Sequence, residues 1–221
     1  MRMPTLVAAL AACALMPMSA AAAVPRKAAA DHSQSPADLK RDMRKLWTDH
    51  VVWTRDYLIA AVGGHPDAPA ALSRLMRNQE QIGHAVAMFY GDATGRQLTS
   101  LLKQHIAIAG ELVKAATVGD KATQQQADTR WHQNAMDIAD FMSKANPNWP
   151  RATLVDLMNQ HLATTTTEVA ARLNKRWDED VRAFDAVYDH ILHMSDAISD
   201  GIVQQFPDRF GDRVTATSGV R

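Results

Sequence analysis

Histidine and aspartate recur at helical spacing in two sets of positions along the chain. The denser set lies in the segment YDHILHMSDAISDG, where His190, His193 and Asp196 follow one another at intervals of three residues. Three further histidines each follow a leucine by four residues: His50, His105 and His161. Imidazole and carboxylate groups without sulfur suit Zn, Cu, Ni or Fe. These six side chains are the predicted metal ligands, and a metal ion or a small ligand is the predicted partner.

The same residues also have a structural interpretation. A histidine on an apolar helix face most often donates one hydrogen bond to a neighbour in the core, and gene duplication would copy such a pair. Asn78 and Asn134 occupy the positions that match His190, so this interpretation predicts buried polar pairs that hold neighbouring helices in register. The di-iron pattern of helical bundles, a glutamate followed three residues later by a histidine, does not occur. Both interpretations remain open.

The spacing of these residues indicates an internal repeat with a period of about 56 residues. The segments LWTDHV, LLKQHI and LMNQHL carry His50, His105 and His161 at nearly even intervals. The segments NQEQIGHAV, NAMDIADFM and HILHMSDAI recur with the same period. A fixed period of this length is typical of supersecondary units that bury their apolar faces against one another. The predicted fold is all-α, a six-helix bundle or a short array of three helical hairpins at 37–90, 92–146 and 151–206.

Helix start and stop signals support six helices in a single domain, 37–210. Ser35-Pro36 followed by Asp38 is typical of a helix start, with a capping hydroxyl and proline in the first turn. Gly64 and Gly119 predict the ends of the first and third helices. Asn174 is predicted to end the fifth helix in a left-handed conformation. Every segment has helical periodicity, and no strand pattern occurs.

The first 23 residues read as a secretory signal peptide. Arg2 precedes the apolar run TLVAALAACALMPM, and the small residues of SAAAA follow it. Cleavage near Ala23 predicts a periplasmic or secreted protein. The segment Leu10 to Cys13 also fits a lipoprotein box, so lipidation at Cys13 is the alternative. Residues 24–36 are predicted to be a disordered leader, and 211–221 a disordered tail.

Composition excludes several classes of function. The chain has 24 basic and 24 acidic residues, a balance that argues against a nucleic-acid partner. Its one cysteine, Cys13, lies in the predicted signal peptide, so disulfide and thiolate chemistry are not expected. No later apolar run approaches the length of a transmembrane helix. A phosphate-binding glycine loop and a nucleophile elbow are both absent from the sequence.

Three segments carry a resemblance to a known family: LWTDHVVWTR, NPNWP and DGIVQQFPDRF. With them the chain resembles, from Leu39 to Phe210, a bacterial family of small helical proteins. Its members are often labelled glycosyltransferase and sometimes acetylglutamate kinase. The label implies sugar transfer, yet no Asp-x-Asp motif on a strand and no α/β nucleotide-sugar pattern accompany it. We interpret the label as a transfer error, and the resemblance supplies no set of functional residues.

Three hypotheses of function follow from the sequence. The first is an exported binding protein for a metal ion or small ligand, centred on the histidines. The second is a structural or stress-related helical module whose polar residues only fix packing. The third is an enzyme, such as the glycosyltransferase that the family label suggests.

Overall fold

A computed structural model describes residues 34–210. This range contains six α-helices, a short 3-10 helix (Pro207–Arg209) and no strand, so the predicted all-α class is confirmed. The helices are α1 (Pro36–Gly63), α2 (Ala68–Tyr90), α3 (Asp92–Val118), α4 (Lys121–Ala145), α5 (Arg151–Leu173) and α6 (Trp177–Gln205). The predicted signal peptide, lipoprotein box and tail, and residues 24–33 of the predicted leader, lie outside the described residues.

The six helices form a closed ring. Each helix packs against the next one along the chain, and α6 packs back against α1. The helices α1, α3 and α5 also contact one another across the centre. The fold is therefore a closed bundle rather than an open array, with the first helix of each hairpin innermost. No helix of the described range is both long and apolar enough to cross a membrane.

The first helix of each hairpin ends in the same kind of turn. A left-handed residue follows the helix at Gly64 (φ 68°), Gly119 (φ 75°) and Lys175 (φ 56°). The next amide then donates to the carbonyl five residues earlier, which satisfies helix-end acceptors: His65 to Ala60, Asp120 to Ala115 and Arg176 to Ala171. The same chain geometry thus recurs once in each hairpin, as the repeat predicts.

The predicted left-handed conformation of Asn174 is wrong. Asn174 has a φ of −86°, and the left-handed residue is its neighbour Lys175. The side-chain amide of Asn174 donates to the carbonyl of Ala170 at 2.7 Å. Because this bond caps the helix while the backbone stays right-handed, the reversal of the chain falls one residue later.

The segments NPNWP and DGIVQQFPDRF meet at the end of the bundle opposite these turns. The Asn146 amide donates to the Tyr90 hydroxyl at 2.8 Å and to the Gly201 carbonyl at 2.9 Å. The Trp149 indole lies directly against Gly201, where any side chain would collide with it. Gln205 accepts a hydrogen bond from the Tyr90 hydroxyl. The two segments therefore join the α4–α5 loop to α6 and hold the fold.

Candidate functional site

Four buried histidines meet at the centre of the bundle. His50 lies on α1, His105 on α3, His161 on α5 and His190 on α6. The His161 ring is central, with its centroid 5.7 Å from that of His50, 6.1 Å from that of His105 and 6.2 Å from that of His190. The sequence repeat thus brings the three first-helix histidines together near the bundle axis.

Equivalent hydrogen bonds join the two helices of each hairpin. A side-chain nitrogen of the second helix donates to a leucine carbonyl of the first helix, four residues before its histidine, at 3.0, 3.2 and 2.9 Å: Asn78 to Leu46, Asn134 to Leu101 and His190 to Leu157. These are buried pairs of the kind that the structural interpretation predicts. The three equivalent second-helix positions are thereby engaged in packing, which leaves the first-helix histidines as the more available polar groups.

The partner of His105 fixes its tautomer. His105 Nδ1 lies 2.8 Å from Asn134 Oδ1. The amide nitrogen of Asn134 is turned the other way, toward the carbonyl of Leu101, so its oxygen faces the ring. Nδ1 must therefore carry the proton and donate it. The second ring nitrogen, His105 Nε2, is left with a lone pair and is an acceptor only.

His50 takes the opposite tautomer. Its Nδ1 lies 3.2 Å from the amide nitrogen of Gln79, which also donates to the carbonyl of Leu75 at 2.9 Å. A flipped amide would place the Gln79 oxygen against that carbonyl, so the nitrogen must face the ring. His50 Nδ1 therefore accepts, and Nε2 carries the proton. The two histidines occupy equivalent repeat positions, yet one offers a donor and the other an acceptor.

The cluster is uncharged at neutral pH. Burial lowers the pKa of His50 to about 3 and the pKa of His105 to about 4. Burial and the neighbouring imidazoles lower the pKa of His161 well below its ordinary value. The pKa of His190 is also lowered, because burial outweighs its bond to the Leu157 carbonyl. Neutral imidazoles can hydrogen-bond in both senses and can bind a metal without first losing a proton to solvent.

Two cavities lie on either side of the histidines. The larger, of about 130 Å³, extends along α1, α3 and α5 from the histidines toward the hairpin turns. The smaller, of about 30 Å³, lies between the histidines and the amino-terminal ends of α1, α3 and α5. His50, His105 and His161 line both cavities. The smaller one is also lined by four methionines: Met43, Met142, Met158 and Met194.

Three residues that line the larger cavity carry a buried polar atom without a hydrogen-bond partner in the described structure. These atoms are Trp131 Nε1, His105 Nε2 and His161 Nδ1. The Trp131 ring packs against the His105 ring, with centroids 5.2 Å apart and planes inclined by 33°. An unsatisfied donor and an unsatisfied acceptor therefore belong to neighbouring side chains that line one cavity. Such groups are uncommon in native cores.

The predicted trio His190, His193 and Asp196 is not brought together. His190 faces the core, whereas His193 is exposed and Asp196 is bound by Arg44, whose Nε lies 2.7 Å from its carboxylate. Along an α-helix, three residues rotate the side-chain direction by about 300°, which is about 60° short of a full turn. From His190 to Asp196 this difference accumulates to about 120°, so Asp196 points away from the core that His190 faces. Within residues 34–210, no three His, Cys, Asp or Glu side chains converge on one ion position.

A buried charged network was missed by the sequence reasoning. Arg55 Nη1 lies 2.6 Å from Glu168 and 3.1 Å from Asp180, and Arg172 Nη1 lies 3.0 Å from Asp180. Burial raises the pKa of Glu168 to about 7 despite the neighbouring Arg55. The sequence does contain one indication that Glu168 is buried. It follows His161 by seven residues, or two helical turns, and therefore lies on the same inward face of α5. The network closes the ring between α1, α5 and α6.

The run of threonines before Glu168 bonds along its own helix. The hydroxyls of Thr164, Thr165 and Thr167 each donate to the carbonyl four residues earlier, at 2.8 to 3.0 Å. This is one of the two roles that such a run can take in a helix. Thr165 and Thr166 also line the larger cavity, where they add polar surface to a mainly apolar wall.

Comparisons with known proteins give no relative. No family model, no curated protein and no solved structure matches the chain. The resemblance to a family labelled glycosyltransferase therefore stays a prediction.

Proposed function

We propose that this protein binds a small, mainly apolar molecule in the larger cavity. The observation that carries the proposal is the cavity of about 130 Å³ that ends on the neutral histidine cluster. Protein interiors are close-packed, with few voids larger than a water molecule. An apolar cavity of about 150 Å³ is large enough to hold benzene. The ligand is thus expected to be about the size of one aromatic ring.

The lining favours an apolar body with few polar contacts. Most of the wall is aliphatic, including Val51, Ile106 and Val113. Polar side chains interrupt this wall at the histidines, at Tyr57 and at the threonines of α1 and α5. Pockets for small molecules typically combine an apolar wall with a small number of placed polar groups.

The seam between α4 and α5 offers a route of entry. These two helices form the most loosely packed neighbouring pair of the ring. The cavity rim includes Gln124 and Asp128 of α4, which are half-buried, and Thr166 of α5, which is exposed. A ligand entering here meets polar groups first and the aliphatic wall afterwards.

Thermal melting with benzene-sized compounds tests the proposal. A ligand at 100 times its dissociation constant stabilises the folded state by about 2.7 kcal/mol, which raises Tm by about 5–10 °C for a chain of this size. Ala109→Leu fills the cavity and should abolish the rise. Ala107→Leu, on the exposed face of the same helix, is the matched control and should leave the rise intact. No rise in wild type with toluene, phenol or indole would overturn the proposal.

A transition metal is the second candidate ligand, and one observation favours it. His50, His105 and His161 come from three helices and share the smaller cavity with four methionine side chains. Neutral imidazole and thioether groups suit soft and borderline metals such as copper. Because no three His, Cys, Asp or Glu side chains converge on one position in the described range, a site built on the three histidines would require the rings to rotate.

We further propose that the protein acts outside the cytoplasm. The support is the amino-terminal sequence, with Arg2, an apolar run and small residues before Val24. Binding in the periplasm or the medium would expose the protein to small molecules that enter from the environment. If neither a molecule nor a metal binds, the structural role of the module is the remaining hypothesis.

A further inference from the structure

We infer that the ligand of the larger cavity carries a hydroxyl group, as a phenol or a small alcohol does. This inference rests on the proposed function and adds the chemical class of the ligand. It is carried by two neighbouring side chains, Trp131 and His105, and by the hydrogen-bonding sense of one atom in each.

Trp131 supplies a donor. Its indole N–H has no acceptor role, and Nε1 is buried without a partner in the described structure. The side chain is only 3% exposed, so solvent does not satisfy this group from outside. Trp131 lines the larger cavity, but Nε1 itself has almost no accessible surface, so a small rotation of the ring would bring it to an acceptor in that space.

His105 supplies an acceptor. Its Nδ1 is engaged as a donor to Asn134, which leaves Nε2 with a lone pair. Nε2 is buried and has no partner among the described residues. Its ring lies 5.2 Å from the Trp131 ring, centroid to centroid, so the two unsatisfied atoms belong to side chains in direct contact.

A hydroxyl is the group that matches this pair. Its oxygen accepts from Trp131 while its hydrogen is donated to His105, so a single group satisfies both. A carbonyl or ether would serve only Trp131, and a carboxylate would in addition bring an unpaired charge against an aliphatic wall. A purely apolar ligand would leave both atoms unsatisfied. Sites that hydrogen-bond a hydroxyl discriminate strongly against analogues that lack it.

His161 extends the polar end of the cavity. Its Nδ1 is the third unsatisfied atom, and its ring lies 6.1 Å from that of His105. A water molecule could join the ligand hydroxyl to it, because buried waters commonly bridge such groups. The hydroxyl end of the ligand is therefore expected to point to the histidines and the apolar end to the turns.

Phenol and toluene provide the test, since they differ by a hydroxyl in place of a methyl group. Isothermal titration should show phenol binding wild type at least about tenfold more tightly than toluene. Trp131→Phe should reduce this ratio severalfold, because only the bond from the hydroxyl to His105 then remains. Trp177→Phe removes an indole that is 53% exposed and should leave the ratio unchanged.

The outcomes separate the two proposals. Toluene binding as tightly as phenol would overturn the hydroxyl inference while the proposed function stands. Binding of neither compound would overturn both. A phenol preference as large in Trp131→Phe as in wild type would remove Trp131 from the site. If Trp131→Phe does not fold, the wild-type ratio of the two compounds still decides whether a hydroxyl is recognised.

Discussion

Trp131 and His105 pack ring against ring, with centroids 5.2 Å apart, and each carries a buried polar atom that no other described residue satisfies. One atom is a donor and the other an acceptor. Leaving such atoms unsatisfied costs free energy that an aliphatic pair in the same place would not cost. A core selected for stability alone would not be expected to keep this pair beside a cavity.

Acid should destabilise the protein strongly between pH 6.5 and pH 5. The folded-state pKa values of His50 and His105 are about 3 and about 4, below the ordinary value of 6.5, and that of His161 is lowered as well. The unfolded chain therefore binds more protons below pH 6.5, and stability is lost as the pH falls. At pH 5 His50 and His105 are each expected to cost about 2 kcal/mol relative to neutral pH, and His161 adds to the loss in the same direction.

Glu168 contributes a pH dependence of stability that is opposite to that of the histidines. Its folded pKa of about 7 lies above the ordinary 4.5, so its ionisation costs stability as the pH rises. Three histidines outweigh one glutamate, and the net effect remains acid destabilisation. Urea unfolding at pH 7.5 and pH 5 measures it. Equal stability at the two pH values would show that the histidines are not buried as neutral groups.

Arg55→Ala should be severely destabilising. The change removes the guanidinium that Glu168 and Asp180 share, and both carboxylates are almost completely buried. Removing one partner of a buried ion pair typically costs about 3–5 kcal/mol. Denaturant unfolding should show that loss, whereas Arg96→Ala on the exposed surface of α3 should change stability by less than about 0.5 kcal/mol. A loss below about 1 kcal/mol in Arg55→Ala would contradict the buried network.

Substitutions at two equivalent hairpin turns should change the stability of the protein in opposite directions. Lys175 is held at a φ of 56°, which is costly for a residue with a Cβ atom. Lys175→Gly should therefore stabilise the protein by about 0.5–1 kcal/mol. Gly119→Ala, at the equivalent turn, should destabilise it by about 1 kcal/mol. Loss of stability in Lys175→Gly would mean that this turn is not left-handed.

Metal binding, if it occurs, should require His105. Zn, Cu or Ni at 100 times the dissociation constant should raise Tm by about 5–10 °C. His105→Ala should abolish the rise, and His132→Ala, which changes an exposed histidine, should preserve it. A wild-type Tm that is the same with chelator and with each metal would end the metal hypothesis.

Export should leave a free amino terminus near Val24. Signal-peptide cleavage after the small residues that end at Ala23 predicts this start. Amino-terminal sequencing of protein from the periplasm or medium measures it. A blocked, lipid-bearing start at Cys13 would establish the lipoprotein alternative.

The sequence allowed much of the architecture to be predicted. Positions one period apart share their environment in a repeat, so the matching positions of His50, His105 and His161 already indicate that the three side chains have similar surroundings. Turn residues such as Gly119 were recognisable because few residues adopt a left-handed conformation. The error at Asn174 arose because its side chain was free to cap the helix instead.

The chemical detail of the site could not be predicted in the same way. Whether a ring nitrogen donates or accepts depends on which atom of the neighbouring amide faces it. His50 and His105 occupy equivalent positions of the repeat, yet an amide nitrogen faces one and an amide oxygen faces the other, so their tautomers are opposite. The partner of Arg55 is 113 residues away, and only the closure of the ring brings Glu168 to it. The unsatisfied state of Trp131 depends on the cavity, which has no signature in the sequence.

The measurement that tests this account most directly is a long-range ¹H–¹⁵N correlation spectrum of the histidine rings, recorded at pH 6 without and with phenol. The account predicts two neutral rings of opposite tautomer, His50 protonated at Nε2 and His105 at Nδ1, and a shift of the His105 Nε2 resonance when phenol is added. A charged ring with protons on both nitrogens, the same tautomer at both positions, or a His105 Nε2 resonance that saturating phenol leaves unchanged would contradict it.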